Sequence, residues 1–164
     1  MKKLQIFTTG GTVDKIYFDA LSEFQIGDPV VGSILLSMNV GFEVSVDELM
    51  RLDSLDMTDQ HRQIIQQRVG DSDAEHILIM HGTDGMVETA GWLGEIANKK
   101  IIFTGAMQPA AFTDTDAVFN IGCAVGAIQV VGDGVYIVMN GQVFAADKVV
   151  KNRAGQCFEE VEKL

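Results

Sequence analysis

The sequence predicts a single α/β domain in three layers, a mostly parallel sheet flanked by helices. Short apolar runs, among them LQIFT at 4–8, HILIM at 76–80 and IIFT at 101–104, alternate with longer stretches whose apolar residues recur every three or four positions. Several of these runs end directly in loops rich in glycine and hydroxyl residues, and no repeat, low-complexity tract or linker-like shift divides the 164 residues. Hydrophobic residues make up 47% and charged residues 21%, a globular balance at a length that supports one proper core.

In chain order, Leu4–Thr8 reads as the first strand and 9–29 as a long loop closed by Gly27 and Pro29. Val30–Asn39 has helical spacing, and Gly41 introduces a strand around Phe42–Val46. Thr58 is placed to cap a helix running to about Val69, with Asp59 complementing its positive end and Gly70 stopping it. His76–Met80 is a buried-type strand, after which Met86, Ala90, Leu93 and Ala97 mark one helical face. Ile101–Thr104 is the next strand and GAMQPAAFTDTD a loop. Val118, Ile121, Val125 and Ile128 then mark a helix whose Gly122 and Gly126 permit close packing. Val135–Asn140 is a strand, Asn140-Gly141 a tight turn, and Gln142–Val150 its hairpin partner.

The net charge of -11 argues against binding nucleic acid or anionic membranes, because such a surface repels phosphate. It leaves a small zwitterionic substrate open. The start, MKKLQIFTTGG, has too short an apolar run for a secretory leader, and Cys123 and Cys157 form no framework; two reduced thiols in a cytoplasmic protein are expected. No metal-ligand pattern and no cofactor fingerprint is present in the sequence. TTGGT lacks the lysine of a P-loop and the third glycine of a dinucleotide fingerprint.

Active sites of parallel sheets lie beyond the carboxyl ends of the strands. There this chain carries Thr9-Gly10-Gly11-Thr12, Asp53–Met57, His81-Gly82-Thr83-Asp84-Gly85 and Gly105-Ala106-Met107. Each has a purely structural reading: TTGGT is a glycine turn, Asp84 a helix cap, Tyr17 a loop anchor and Lys151 a solvated lysine. His81 reads as a structural hydrogen-bonding group, His61 and His76 as residues without a role, Met107 as packing, and Asp116 with Asn120 as loop organisers. For chemistry, a threonine hydroxyl becomes a nucleophile only when a base removes its proton. A lysine serves as that base only where burial disfavours its charged form.

Taken together, TGGTV at 9–13 and HGTDGM with Glu88 resemble the two signatures of the bacterial-type asparaginase/glutaminase family. Ser54–Met57 (SxDM), Gly105–Pro109 (GAMQP), the Asp116–Asn120 pair and Lys151 within VVKN match as well. The resemblance implies the fold of the family's larger N-terminal domain and hydrolysis of L-asparagine to L-aspartate and ammonia, without cofactor or metal. It implies Thr12 as nucleophile, Tyr17 as the group polarising it, and Thr83, Asp84 and Lys151 as a second catalytic constellation. Attack by a water that Thr83 activates is the alternative. Gly11 and Gly82 join the substrate-binding set, with Ser54 for the α-carboxylate and Asp84 for the α-ammonium group. Amides of the glycine turns are suited to an oxyanion.

The chain departs from the family pattern in three places. The 164 residues hold no counterpart of the smaller C-terminal domain, so the site is expected to do without the acidic residue that this domain supplies from a neighbouring subunit in the family. Leu55 stands where glutamine is common, and the 13–27 loop is compact. Weak substrate affinity and low glutaminase activity are therefore expected. Family members bury large faces between subunits, so a homodimer or homotetramer is expected. A non-catalytic amino-acid-binding or regulatory domain and the amidase subunit of a transamidation complex are the competing readings.

Overall fold

Runs of β-branched and large apolar residues build the sheet. The computed structural model describes residues 1–18, 23–94 and 96–161. Its central sheet comprises β1 (Lys3–Thr8), β4 (Glu43–Glu48), β5 (His76–Met80), β6 (Lys100–Thr104), β7 (Gly134–Met139) and β8 (Gln142–Ala145), in the order β4-β1-β5-β6-β7-β8. All neighbours are parallel except β7 and β8, which Asn140-Gly141 joins with φ of 54° and 77°. Positive φ at both central residues is what a type I′ turn requires, and Asn-Gly meets it at least cost.

Side chains alternate across a strand, so HILIM buries both faces of the sheet. Ile77 and Ile79 face a core formed with Phe7, Ile65, Met86 and Phe103, while Leu78 and Met80 face one formed with Leu4, Ile6, Ile102 and Ile121. The first core lies under α2 (Asp59–Asp71) and α3 (Met86–Leu93), the second under α1 (Val31–Ser37) and α4 (Ala117–Ile128). Parallel strands covered on both faces by helices form the expected three-layer architecture. No described helix is long and apolar enough to cross a membrane.

At the start of α2 the Thr58 backbone N–H donates to His61 Nδ1 at 3.1 Å, which gives His61 a structural use. The helix continues through Gly70 to Asp71 rather than stopping at the glycine. Gly94, with φ of 61°, ends α3 and leaves Ala97 beyond the helix. On α4, Ala117, Asn120, Ile121, Ala124 and Ile128 are buried, whereas a Cβ at Gly122 or Gly126 would meet nothing within 4 Å. The two glycines therefore do not pack against the sheet. They lie on an open face beside the exposed Val118 and Phe119.

Two further expectations need correction. The segment 9–29 is not one long loop: a 3-10 turn at Thr12–Asp14 leads into a hairpin of β2 (Lys15–Phe18) and β3 (Glu23–Ile26). The hairpin register pairs Lys15 with Ile26 and Tyr17 with Phe24, and the segment's residues 19–22 lie outside those described. Nor is Gln142–Val150 a single strand. After β8 the chain turns, with Lys148 N–H donating to Ala145 O at 3.0 Å, and β9 (Val149–Asn152) pairs instead with β10 (Cys157–Glu160). This second hairpin carries Lys151.

Candidate active site

The floor of the site is made where three loops meet closely enough to require glycine. Gly11 has φ of 106°, and a Cβ there would come within 2.7 Å of the Gly82 nitrogen. A Cβ on Gly82 would in turn reach 2.5 Å from Ser54 Oγ. The ends of β1, β4 and β5 are thereby stacked with backbone against backbone and against Ser54. Ser54 is only 4% exposed, and its Oγ accepts from Gly85 N–H at 3.1 Å, which fixes the turn that opens α3.

Behind Ser54, Asp53 accepts from Leu55 N–H at 3.1 Å and from Lys15 Nζ at 3.0 Å, tying the β2–β3 hairpin to the loop after β4. Partial burial works against the Asp53 charge. The Leu55 amide, Lys15 and the positive field of Lys151 outweigh it and hold the carboxyl below its ordinary range.

The hydroxyl, carboxylate and amine side chains stand above this floor. Lys151 Nζ donates to Thr83 Oγ1 at 2.7 Å and to Asp84 Oδ1 at 2.8 Å. Thr83 is 5% exposed and the lysine side chain 13%, so the contact is shielded from bulk water on most sides. Strand β9 reaches Thr83 and Asp84 from outside the main sheet, across a sequence separation that only the fold closes. Thr12 borders the same cleft of about 240 Å³, together with Arg153 and Gln156 from the β9–β10 turn. Met107 and Gln108 form a further wall. Asp116 holds that wall by accepting from both backbone amides at 3.0 Å, while Asn120 Nδ2 donates to Gly105 O at 3.1 Å and to Asp116 at 2.8 Å.

Because the lysine donates to Thr83 Oγ1, the hydroxyl keeps its own proton for a second partner in the cleft. The group therefore has two hydroxyls, an amine in contact with one of them, and a carboxylate, which is the inventory needed to move a proton during attack on an amide.

Thr12, Thr83, Asp84 and Lys151 share the cleft, and Gly11, Gly82 and Ser54 pack at its base. Tyr17 stands apart from them. Its ring is 53% exposed on the β2–β3 hairpin and lies edge-on to Phe24 at 5.6 Å, with no hydrogen bond to Thr12. His81 is buried, with Nδ1 2.8 Å from Gly82 O and Nε2 3.3 Å from Met57 Sδ. Burial pushes its pKa down to about 4, so the ring is neutral and internal. Sequence reasoning passed over Arg153 and Gln156. The signal for Arg153 was available, since a residue two places beyond Lys151 at the end of a strand shares its face.

The family model described as asparaginase, N-terminal, matches residues 3–162. An L-asparaginase of Bacillus licheniformis is 29% identical over 164 aligned residues, which cover 93% of this chain and 51% of that protein. Among solved structures, the thermostable L-asparaginase from Thermococcus kodakarensis superposes with a TM-score of 0.87 at 21% identity, covering 99% of this chain and 52% of that one. A probable cytoplasmic L-asparaginase from Campylobacter jejuni gives 0.81 at 22%, with 98% and 53% covered. At those identities the superpositions bear on fold alone. The chain spans about half the length of these relatives. Matched by the family model over nearly its whole length, the chain belongs to the asparaginase family, in the part that forms its N-terminal domain.

Proposed function

We propose that this chain carries the amide-hydrolysing centre of an L-asparaginase. The observation that supports the reading is the position of Lys151 Nζ, 2.7 Å from Thr83 Oγ1 and 2.8 Å from Asp84 Oδ1, in a cleft that Thr12 also borders. Mere binding of an amino acid would need neither two threonines nor the lysine. In the proposed reaction Thr12 Oγ1 attacks the side-chain amide carbon of asparagine. Its proton passes to the Thr83–Lys151 pair and then to the departing ammonia. Water enters the vacated position and cleaves the acyl-threonine to release aspartate. Amides around Gly11 and Thr83 face the developing oxyanion. Asp84 takes the α-ammonium group, and the Ser54 hydroxyl retains a proton to donate towards the α-carboxylate.

The role proposed for Tyr17, polarising Thr12, needs the β2–β3 hairpin to lean inward, and Tyr17→Phe lowering kcat about tenfold or more would support it. Glutamine, one methylene longer, places its amide out of register with Thr12, so low glutaminase activity is expected. We place the protein in the cytoplasm, a reading supported by two free thiols, Cys123 and Cys157, in keeping with a reducing compartment. An ammonia-coupled assay with L-asparagine, D-asparagine and L-glutamine over a wide concentration range tests the activity. Preferential ammonia release from L-asparagine supports the reading. Binding of asparagine without release would make the chain a binding domain instead.

A further inference from the structure

We propose that Arg153 is a specificity-determining residue of this cleft, the cation that receives the α-carboxylate of the amino-acid substrate. The inference rests on the asparaginase reading and deepens it. Arg153 follows β9 directly and borders the cleft with Thr83, Asp84 and Lys151. Among the described residues its one ion pair is loose: Nη2 is 3.7 Å from Asp84 Oδ1, and 67% of the side chain is exposed. The short contacts of Asp84 go to Lys151 instead, at 2.8 Å.

Among the described residues the guanidinium makes no shorter contact, while the turn that carries it is held by hydrogen bonds. Gly155 N–H donates to Asn152 Oδ1 at 2.9 Å, Asn152 Nδ2 donates to Glu159 at 2.7 Å, and Gln156 takes φ of 50° to close the turn. A hydrogen-bonded turn that presents a loosely paired guanidinium over the cleft suits a ligand anion. The local charge points the same way. Two cations face one carboxylate here, in a molecule of net charge -11.

An α-amino acid carries its ammonium and carboxylate on one carbon. With the ammonium on Asp84, the carboxylate falls beside that aspartate, where the Arg153 guanidinium stands. The zwitterion would then replace the long Arg153–Asp84 contact by two short ones, ammonium to aspartate and carboxylate to arginine. Ser54, largely buried with its oxygen already accepting from Gly85 N–H, brings one hydroxyl proton and no charge. Arginine also offers a planar fork that fits a carboxylate with two parallel bonds.

The test compares L-asparagine with L-asparaginamide, in which an uncharged amide replaces the α-carboxylate, on the wild type and on Arg153→Gln and Arg153→Lys. The wild type should favour L-asparagine by about tenfold or more in KM, the scale of one charge-assisted bond. Arg153→Gln should raise KM for L-asparagine by that factor, leave kcat within about threefold, and lose the discrimination. Arg153→Lys should recover part of it. Calorimetric titration with L-aspartate, which needs no turnover, should weaken in parallel. If Arg153→Gln still discriminates as the wild type does, this inference falls while the activity stands. If the wild type neither binds L-aspartate nor releases ammonia from asparagine, the asparaginase reading falls and takes the inference with it.

Discussion

Lys151 touches two groups of the cleft at once: its Nζ donates to Thr83 Oγ1 at 2.7 Å and to Asp84 Oδ1 at 2.8 Å. Asp84 thus fixes the amine where a proton can be relayed through the Thr83 hydroxyl. Lys151→Met should therefore lower kcat by about two orders of magnitude or more, the usual contribution of a positioned acid or base. Thr12→Ala and Thr83→Ala should each do the same. None of the three belongs to either hydrophobic core, so thermal midpoints should move by only a few degrees. Either alanine variant retaining near-normal ammonia release would remove that threonine from the mechanism. The quartet of Thr12, Thr83, Asp84 and Lys151 was legible because each residue follows a strand or sits in a recognisable motif. The position of Ser54 on the loop after β4 was legible, but not its bond to Gly85 N–H, because spacing says nothing about which amide a hydroxyl will meet.

Among the elements, the β2–β3 hairpin was the least legible. A strand announces itself by alternating buried and exposed side chains, and among the described side chains of this hairpin none is buried. Ile16, Tyr17 and Phe24 are all exposed, so the pattern carries no contrast to read. What fixes the hairpin is tethering at its base: Gly27 N–H donates to Asp14 O at 2.8 Å, Val30 N–H to Asp14 Oδ1 at 3.0 Å, and Lys15 pairs with Asp53. The helices and central strands were legible because their apolar periodicity is strong, although their ends moved by a residue or more where caps rather than periodicity decide. Helix α4 yields a prediction of its own. It contains no charged residue, and Val118, Phe119, Gly122 and Gly126 lie on an open face. That face should meet a second copy, and light scattering at micromolar concentration should report a dimer or larger. Gly122→Arg has room within the subunit and should yield a monomer that is still folded by circular dichroism. A monomeric wild type, or an arginine variant that still associates, would mean that α4 is not the interface.

For the molecule as a whole, two buried ionisable groups on different loops should set its response to acid, and they act in opposite directions. Burial raises the Asp14 carboxyl from 3.8 to about 6, despite the bond from Val30 N–H. Burial also lowers His81 from 6.5 to about 4, despite its contact with Gly82 O. Between pH 4 and 6 the folded chain keeps a proton on Asp14 that the unfolded chain has released, so this group makes stability fall as pH rises. Over nearly the same range the unfolded chain protonates His81 while the folded chain does not, so this group makes stability rise with pH. The shifts are similar in size and the two slopes largely cancel. His76, also lowered by burial, adds modestly to the histidine side, whereas Asp53 is lowered and acts below 3.8. Asp14→Asn keeps an oxygen to accept from Val30 N–H and removes only the titration. It should be more stable than the wild type at pH 7, by about 1–3 kcal/mol, since one unit of pKa corresponds to about 1.4 kcal/mol. It should then lose that advantage steadily as pH falls from 6 to 4, where the histidine slope is no longer opposed. Urea denaturation midpoints at half-unit intervals across this range would show it. A variant whose profile runs parallel to that of the wild type would mean that Asp14 is ionised in the folded protein and that the balance does not exist.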